Sequence, residues 1–139
     1  MFGNELIVLD TNVLIFGIEE TDRYCKSIID NLFKFNIFIP RLVMEEMRRN
    51  LALHPKNFKF FLKIITNKPN IIINEENITE DLTKKYRSKG LKKGDIFIGA
   101  AMEAKKARVI ISMNRHFLQK KIINFIVMNP QEFYKEFLI

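Results

Sequence analysis

Five short apolar runs punctuate the chain: Leu6–Leu9, Ile37–Ile39, Ile71–Ile73, Val109–Ile111 and roughly Ile122–Val127. Each is rich in Ile, Val or Leu and bounded by polar or turn residues, the pattern of a buried strand. Longer amphipathic stretches lie between them and predict helices over Thr21–Phe35, Pro40–His54, Pro55–Asn67, Glu76–Lys89 and Asp95–Ala107, with a last short helix after Pro130. Pro40 suits a first helical position, and Gly90 and Gly94 bracket the basic loop Leu91-Lys92-Lys93. The strands are apolar throughout instead of alternating, so both of their faces are expected to be covered. A mostly parallel sheet between two helical layers does this. The expected class is α/β, a three-layer α/β/α arrangement around roughly five strands.

Composition narrows the picture. The 139 residues suit one domain spanning 1–139, and 47% hydrophobic residues with 13 Phe supply a core that disordered and fibrous chains lack. The one cysteine, Cys25, can form neither an internal disulfide nor a Cys-rich zinc site, and only His54 and His116 offer imidazole. A reducing cytosol fits. The start, Met1-Phe2-Gly3-Asn4-Glu5, lacks the basic opening and long apolar run of a signal peptide, and no segment reads as a membrane span. Lys and Arg number 23 against 16 Asp and Glu, a formal charge of +7. That balance permits a polyanionic partner without requiring one.

The informative carboxylates stand where apolar segments end. In an open parallel sheet ligands bind beyond the carboxyl ends of the strands. Asp10 directly follows Leu6–Leu9, with Thr11 and Asn12 adding oxygen-bearing side chains, and Ser112 and Asn114 hold the same position after Val109–Ile111. Asp10 also reads as a helix cap, and the two roles are compatible. In the helix after Pro40, Glu46 falls on the arc of Leu42, Val43, Met47 and Leu51, whereas Glu45 lies opposite among Arg41, Arg48 and Arg49. A carboxylate on a core-facing arc must neutralise, pair or bind metal; a salt bridge is the structural alternative. Asp95 opens a helix apolar on nearly every side, with Gly99 one turn on, where a small residue admits a close backbone neighbour. An N-cap is the alternative for Asp95. Glu103 and Lys106 read as solvent contacts. Convergence of Asp10, Glu46 and Asp95 beside Ser112 and Asn114 makes an all-oxygen site, the kind that Mg²⁺ or Mn²⁺ prefers.

Four segments in order then resemble the PIN-domain nucleases over nearly the whole chain. These are Val8-Leu9-Asp10-Thr11-Asn12-Val13-Leu14-Ile15, Pro40-Arg41-Leu42-Val43-Met44-Glu45-Glu46-Met47, Gly94-Asp95-Ile96-Phe97-Ile98-Gly99-Ala100-Ala101 and Ile110-Ile111-Ser112-Met113-Asn114-Arg115-His116-Phe117. The resemblance implies a metal-dependent endoribonuclease of the small, single-domain, VapC-toxin-like kind, leaving 5′-phosphate and 3′-hydroxyl ends. Asp10, Glu46 and Asp95 match the acidic positions of that family, and Asn12 and Ser112 its polar accessory positions. Asn114 stands where the family usually has a fourth acid, so the site loses one negative charge and occupancy by a second metal is in question.

The expected chemistry is in-line attack by water activated on one or two Mg²⁺ or Mn²⁺ ions. Asp10 and Asp95 are the expected direct ligands, Glu46 a ligand or holder of metal-bound water, and Ser112 and Asn114 orient water or phosphate. Lys92, Lys93, Arg115, Lys120 and Lys121 flank the site in sequence as candidate contacts to single-stranded or looped RNA, with plain solvation as their alternative. Family similarity also implies an antitoxin protein as a partner in toxin members, and a homodimer. Two other classes stay open: a catalytically weak or inactive module that binds RNA or a protein, favoured by Asn114, and an aspartyl phosphotransfer enzyme. The latter usually needs an acid two positions after Asp10, where this chain has Asn12.

Overall fold

The computed structural model describes residues 4–74, 77–91, 93–114 and 125–139. In chain order these form β1 (Leu6–Leu9), α1 (Thr11–Ile18), α2 (Arg23–Asp30), a short 3₁₀ turn (Leu32–Lys34), β2 (Asn36–Ile39), α3 (Arg41–Asn50), α4 (Pro55–Ile65) and β3 (Ile71–Ile73). There follow α5 (Glu80–Ser88), α6 (Gly94–Lys105), β4 (Val109–Ile111), β5 (Ile126–Met128) and α7 (Pro130–Phe137). The strands make one sheet in the order β3-β2-β1-β4-β5, every neighbouring pair parallel. Ile7, Val8 and Leu9 are 1%, 0% and 2% exposed. Successive strand residues point to opposite faces, so both faces of β1 are covered and the three-layer α/β/α expectation holds. The edges are more open: Ile72 on β3 and Ile126 on β5 are both half-exposed.

Capping chemistry sets the helix boundaries that periodicity blurred. Asp22 accepts bonds from the backbone N–H groups of Tyr24 and Cys25, so α2 starts at Arg23, and the predicted Thr21–Phe35 helix breaks at Asn31 into the 3₁₀ turn. Thr79 accepts from Leu82 N–H and starts α5 at Glu80, later than the predicted Glu76. Pro40 precedes α3 as its N-cap and is not its first helical residue. Asn129 and Glu132 form a reciprocal capping box around Pro130 in α7. Helix α1 is absent from the predicted set for a physical reason. Its sequence, Thr11 to Ile18, is apolar nearly all round and packs mainly on α2, so it carries no polar stripe to mark a helical period.

The Phe-rich stretch of α4 divides: Phe61 is fully buried, whereas Phe60 and Leu62 reach the surface. Among the described residues no helix is long and apolar enough to cross a membrane. Cys25 is wholly buried on α2, and burial, with the nearby Asp22 charge adding to it, pushes its thiol up to about 12. The thiolate is the reactive form. Alkylation by iodoacetamide at mildly basic pH is therefore expected only as fast as the native chain opens, and rapidly in denaturant. Stoichiometric labelling of the folded protein within minutes would contradict this.

Candidate active site

Chain direction reverses its progress across the sheet at β1, since β2 lies on one side of it and β4 on the other. The crevice beyond the carboxyl ends of such a pair is the natural ligand position of an open α/β sheet. Asp10 and Ser112 both sit there, one residue past the paired Leu9 and Ile111. The Asp10 N–H donates to the Ile111 carbonyl at 3.0 Å, and the Ser112 N–H to the Met128 carbonyl at 2.9 Å, so the sheet ladder itself anchors both residues.

Asp10 is only 7% exposed, and both of its carboxylate oxygens are engaged. One accepts the Thr11 N–H at 2.8 Å, which makes Asp10 the N-cap of α1; the other accepts the Ser112 hydroxyl at 2.7 Å. The capping role and the site position therefore coexist. Thr11 reaches in a second direction, its hydroxyl donating to Glu46 Oε1 at 3.2 Å and so tying α3 to the end of β1. Asp95 is the second residue of α6, whose N-cap is Lys93, so the N-cap alternative for Asp95 does not hold. The Asn114 amide nitrogen lies 3.0 Å from each Asp95 oxygen.

These residues line one open cleft of about 580 Å³: Asp10, Thr11, Asn12, Glu46, Lys93, Gly94, Asp95, Ile98 and Asn114. Burial raises the Asp10 carboxyl above its usual range, against the pull of the Ser112 and Thr11 bonds. Burial likewise raises Glu46; the Thr11 bond opposes it, the Asp10 charge adds to it, and Arg49 opposes it weakly. Among the described residues neither Asp10 nor Glu46 makes an ion pair, which removes the salt-bridge alternative for Glu46 there. The donor set is oxygen of the hard type, carboxylate with hydroxyl and amide, and in kind it fits Mg²⁺ or Mn²⁺. Among the described residues, however, no three of His, Cys, Asp and Glu stand close enough together to hold a metal ion as they are placed.

With this geometry established, the model of the PIN domain family matches residues 7–123 of the chain. The chain belongs to the PIN domain family. No curated protein matches this PIN domain in sequence. Among solved structures it is similar to VapBC2 from Rickettsia felis bound to a DNA fragment from their promoter, at 20% identity and a TM-score of 0.62, covering 89% of this chain and 98% of that one. A toxin–antitoxin complex from Klebsiella pneumoniae matches at 18% identity and a TM-score of 0.64, with 89% and 97% covered. FitAcB from Neisseria gonorrhoeae matches at 18% and 0.63, with 90% and 98% covered. At such identities the likeness is one of fold.

In this PIN domain, Asp10, Asn12, Glu46, Asp95 and Asn114 line the common cleft, with Ser112 buried just behind Asp10. Lys93 joins them there; Lys92, Arg115, His116, Lys120 and Lys121 lie outside the described residues. Glu45 pairs with Arg41 at 3.0 Å on the surface of α3, as its helical angle implied. Two expectations are corrected. A Cβ on Gly99 would meet the Tyr86 ring at 2.9 Å, so the small residue admits an aromatic side chain from α5 and not a backbone. Glu103 is more than a solvent contact: partly exposed, it accepts the hydroxyl of the buried Tyr86 at 2.8 Å and pairs with Lys85 at 2.6 Å. The sequence shows Thr11 beside Asp10 but carries no sign of its reach to Glu46, 35 residues away.

Proposed function

We propose that this PIN domain is a metal-dependent endoribonuclease, and that Asp10, Glu46 and Asp95 are its acidic site. The observation that supports it most is the sharing of one cleft by three carboxylates, two of which, Asp10 and Glu46, are partly desolvated and held by neutral donors. Desolvated like charges repel unless a cation joins them. Asp10 and Asp95 would hold the ion, with Glu46 as a further ligand or the holder of its water. Mg²⁺ or Mn²⁺ bound there supplies a Lewis acid that polarises a phosphodiester and lowers the pKa of water. Ser112 and Thr11 keep the Asp10 carboxylate oriented, Thr11 also aligns Glu46, and Asn12 lines the same cleft. Lys93 offsets phosphate charge. The test is cleavage of single-stranded RNA with Mn²⁺ or Mg²⁺, using Asp10→Asn as control. Cleavage no greater than that of the control would leave the alternative of a non-catalytic module that binds RNA or protein.

The structures it resembles include a toxin–antitoxin complex, which supports the further proposal that this chain is the toxin of such a pair, with an antitoxin protein as partner; a homodimer is proposed on family resemblance alone. A short partner gene directly upstream, and co-purification of its product, would bear this out. A lone reading frame would favour RNA processing.

Lys93 provides a separable test of RNA contact. Its backbone, with φ 53° and ψ −132°, lies in a region that glycine tolerates and lysine enters only with strain. Lys93→Gly is expected to leave stability unchanged or raise it by up to about 1 kcal/mol, as relief of strain outweighs glycine's added chain entropy. The same change should lower the log–log salt slope of single-strand binding by about 0.7. An unchanged slope would make Lys93 a bystander.

A further inference from the structure

We infer that the loop after β4 straps Asp10 to Asp95, with Asn114 as the positioning residue, and thereby sets the site for one divalent cation instead of two. This rests on the metal-dependent reading above and deepens it. The strap begins at Ser112, which is fully buried. Its oxygen accepts the Asn114 N–H at 2.8 Å, so its single proton is left to donate to Asp10, at 2.7 Å. Asn114 then turns its side-chain amide onto Asp95, the nitrogen 3.0 Å from both oxygens. Only that orientation of the amide is satisfied there, because the opposite one would set a carbonyl oxygen against two carboxylate oxygens. The segment Ser112–Asn114 therefore holds two carboxylates that belong to different parts of the fold, the end of β1 and the start of α6, and fixes how far apart they stand.

The same geometry determines the ion count. An amide N–H₂ has no lone pair to offer a metal, so on the Asp95 side Asn114 acts as a donor and not as a ligand. Among the described residues the charged groups lining the cleft, when ionised, are Asp10, Glu46 and Asp95 at −3 and Lys93 at +1, a net −2. One divalent cation balances that charge, whereas a second would leave the cleft positive by two.

Titration calorimetry of the full chain with Mn²⁺, with folding checked by far-ultraviolet circular dichroism, tests the inference. The unaltered protein should bind one ion. Asn114→Ala should still bind one, but about tenfold or more weakly, the scale on which groups that orient metal ligands act. Asn114→Asp should bind two, and without metal should melt at a lower temperature, since it faces Asp95 with a like charge. Two ions in the unaltered protein, an Asn114→Ala affinity within about twofold of it, or a single ion in Asn114→Asp would each overturn the strap while leaving the metal-dependent reading in place. No Mn²⁺ binding by the unaltered protein would overturn both. Should Asn114→Ala fail to fold, the ion count of Asn114→Asp still decides, because a purely structural role for Asn114 would not change it.

Discussion

Asp10→Asn is expected to lower Mn²⁺-dependent RNA cleavage by about a thousandfold or more, roughly 4 kcal/mol of barrier, while the metal-free protein melts at the same temperature or higher. The two halves of this outcome have different origins. Activity falls because the buried carboxylate is replaced by an amide, which carries no charge to hold a cation. Stability is kept because relief of the buried charge offsets the one bond that is lost. The new amide oxygen can still accept the Thr11 N–H, and its nitrogen can donate to Ser112 Oγ, which has a lone pair beyond the one taken by Asn114, while the Ser112 hydroxyl proton gives up its acceptor on residue 10. The unfavourable burial of a charge next to Glu46 disappears at the same time.

The sign with pH follows. Burial raises the Asp10 and Glu46 carboxyls in the folded state, so the native protein binds these protons more tightly than the unfolded chain. The associated stability is fully present below the ordinary carboxylate range and is lost as pH rises through the raised values. Partly exposed Glu5 and Glu103, lowered mainly by bonds from Arg108 and Lys85, act in the opposite direction, but they are common to both proteins and cancel in the difference. Urea unfolding with EDTA at about pH 4 and about pH 7 should therefore show the gain of Asp10→Asn growing towards neutral pH. A marked loss of metal-free stability at pH 7 would mean that Asp10 matters chiefly as a cap.

Gly17→Ala should be the most damaging small substitution outside the cleft, costing about 3 kcal/mol, a large part of the stability of an ordinary domain. A Cβ at this position would overlap Ile29 Cγ1 and stand 2.7 Å from the Cys25 carbonyl oxygen. The Ile29 side chain can give way, but the backbone of α2 cannot without moving the helix. Alanine's advantage in a helix, about 1 kcal/mol, does not offset this. Helix α1 starts at Thr11, so a displacement of α1 also shifts the Thr11 hydroxyl that holds Glu46, and activity should fall with stability. Urea unfolding gives the measurement; a midpoint equal to that of the unaltered protein would show that α1 and α2 are not packed this closely. Gly99→Ala is the milder companion, because the three nearest atoms there all belong to side chains, of Tyr86 and Leu91, and none to backbone.

Much of this protein is local in origin and was readable as such. Continuous apolar runs specify strands covered on both faces, and their order places Asp10 and Ser112 at strand ends. The helical angle alone separates Glu46 from Glu45. What the sequence by itself determined is thus the layering, the positions of the polar residues at the strand ends and the sides of α3. Helix α1 is not legible, since a segment apolar nearly all round has no periodicity to read. Tertiary structure alone decided the pairings: Thr11 with Glu46, Ser112 with Asp10, Asn114 with Asp95 and Glu103 with Tyr86, across 35, 102, 19 and 17 residues. Local pattern says which face a side chain occupies, but the partner that satisfies it is brought there by chain crossovers and packing, and no short-range rule encodes that choice.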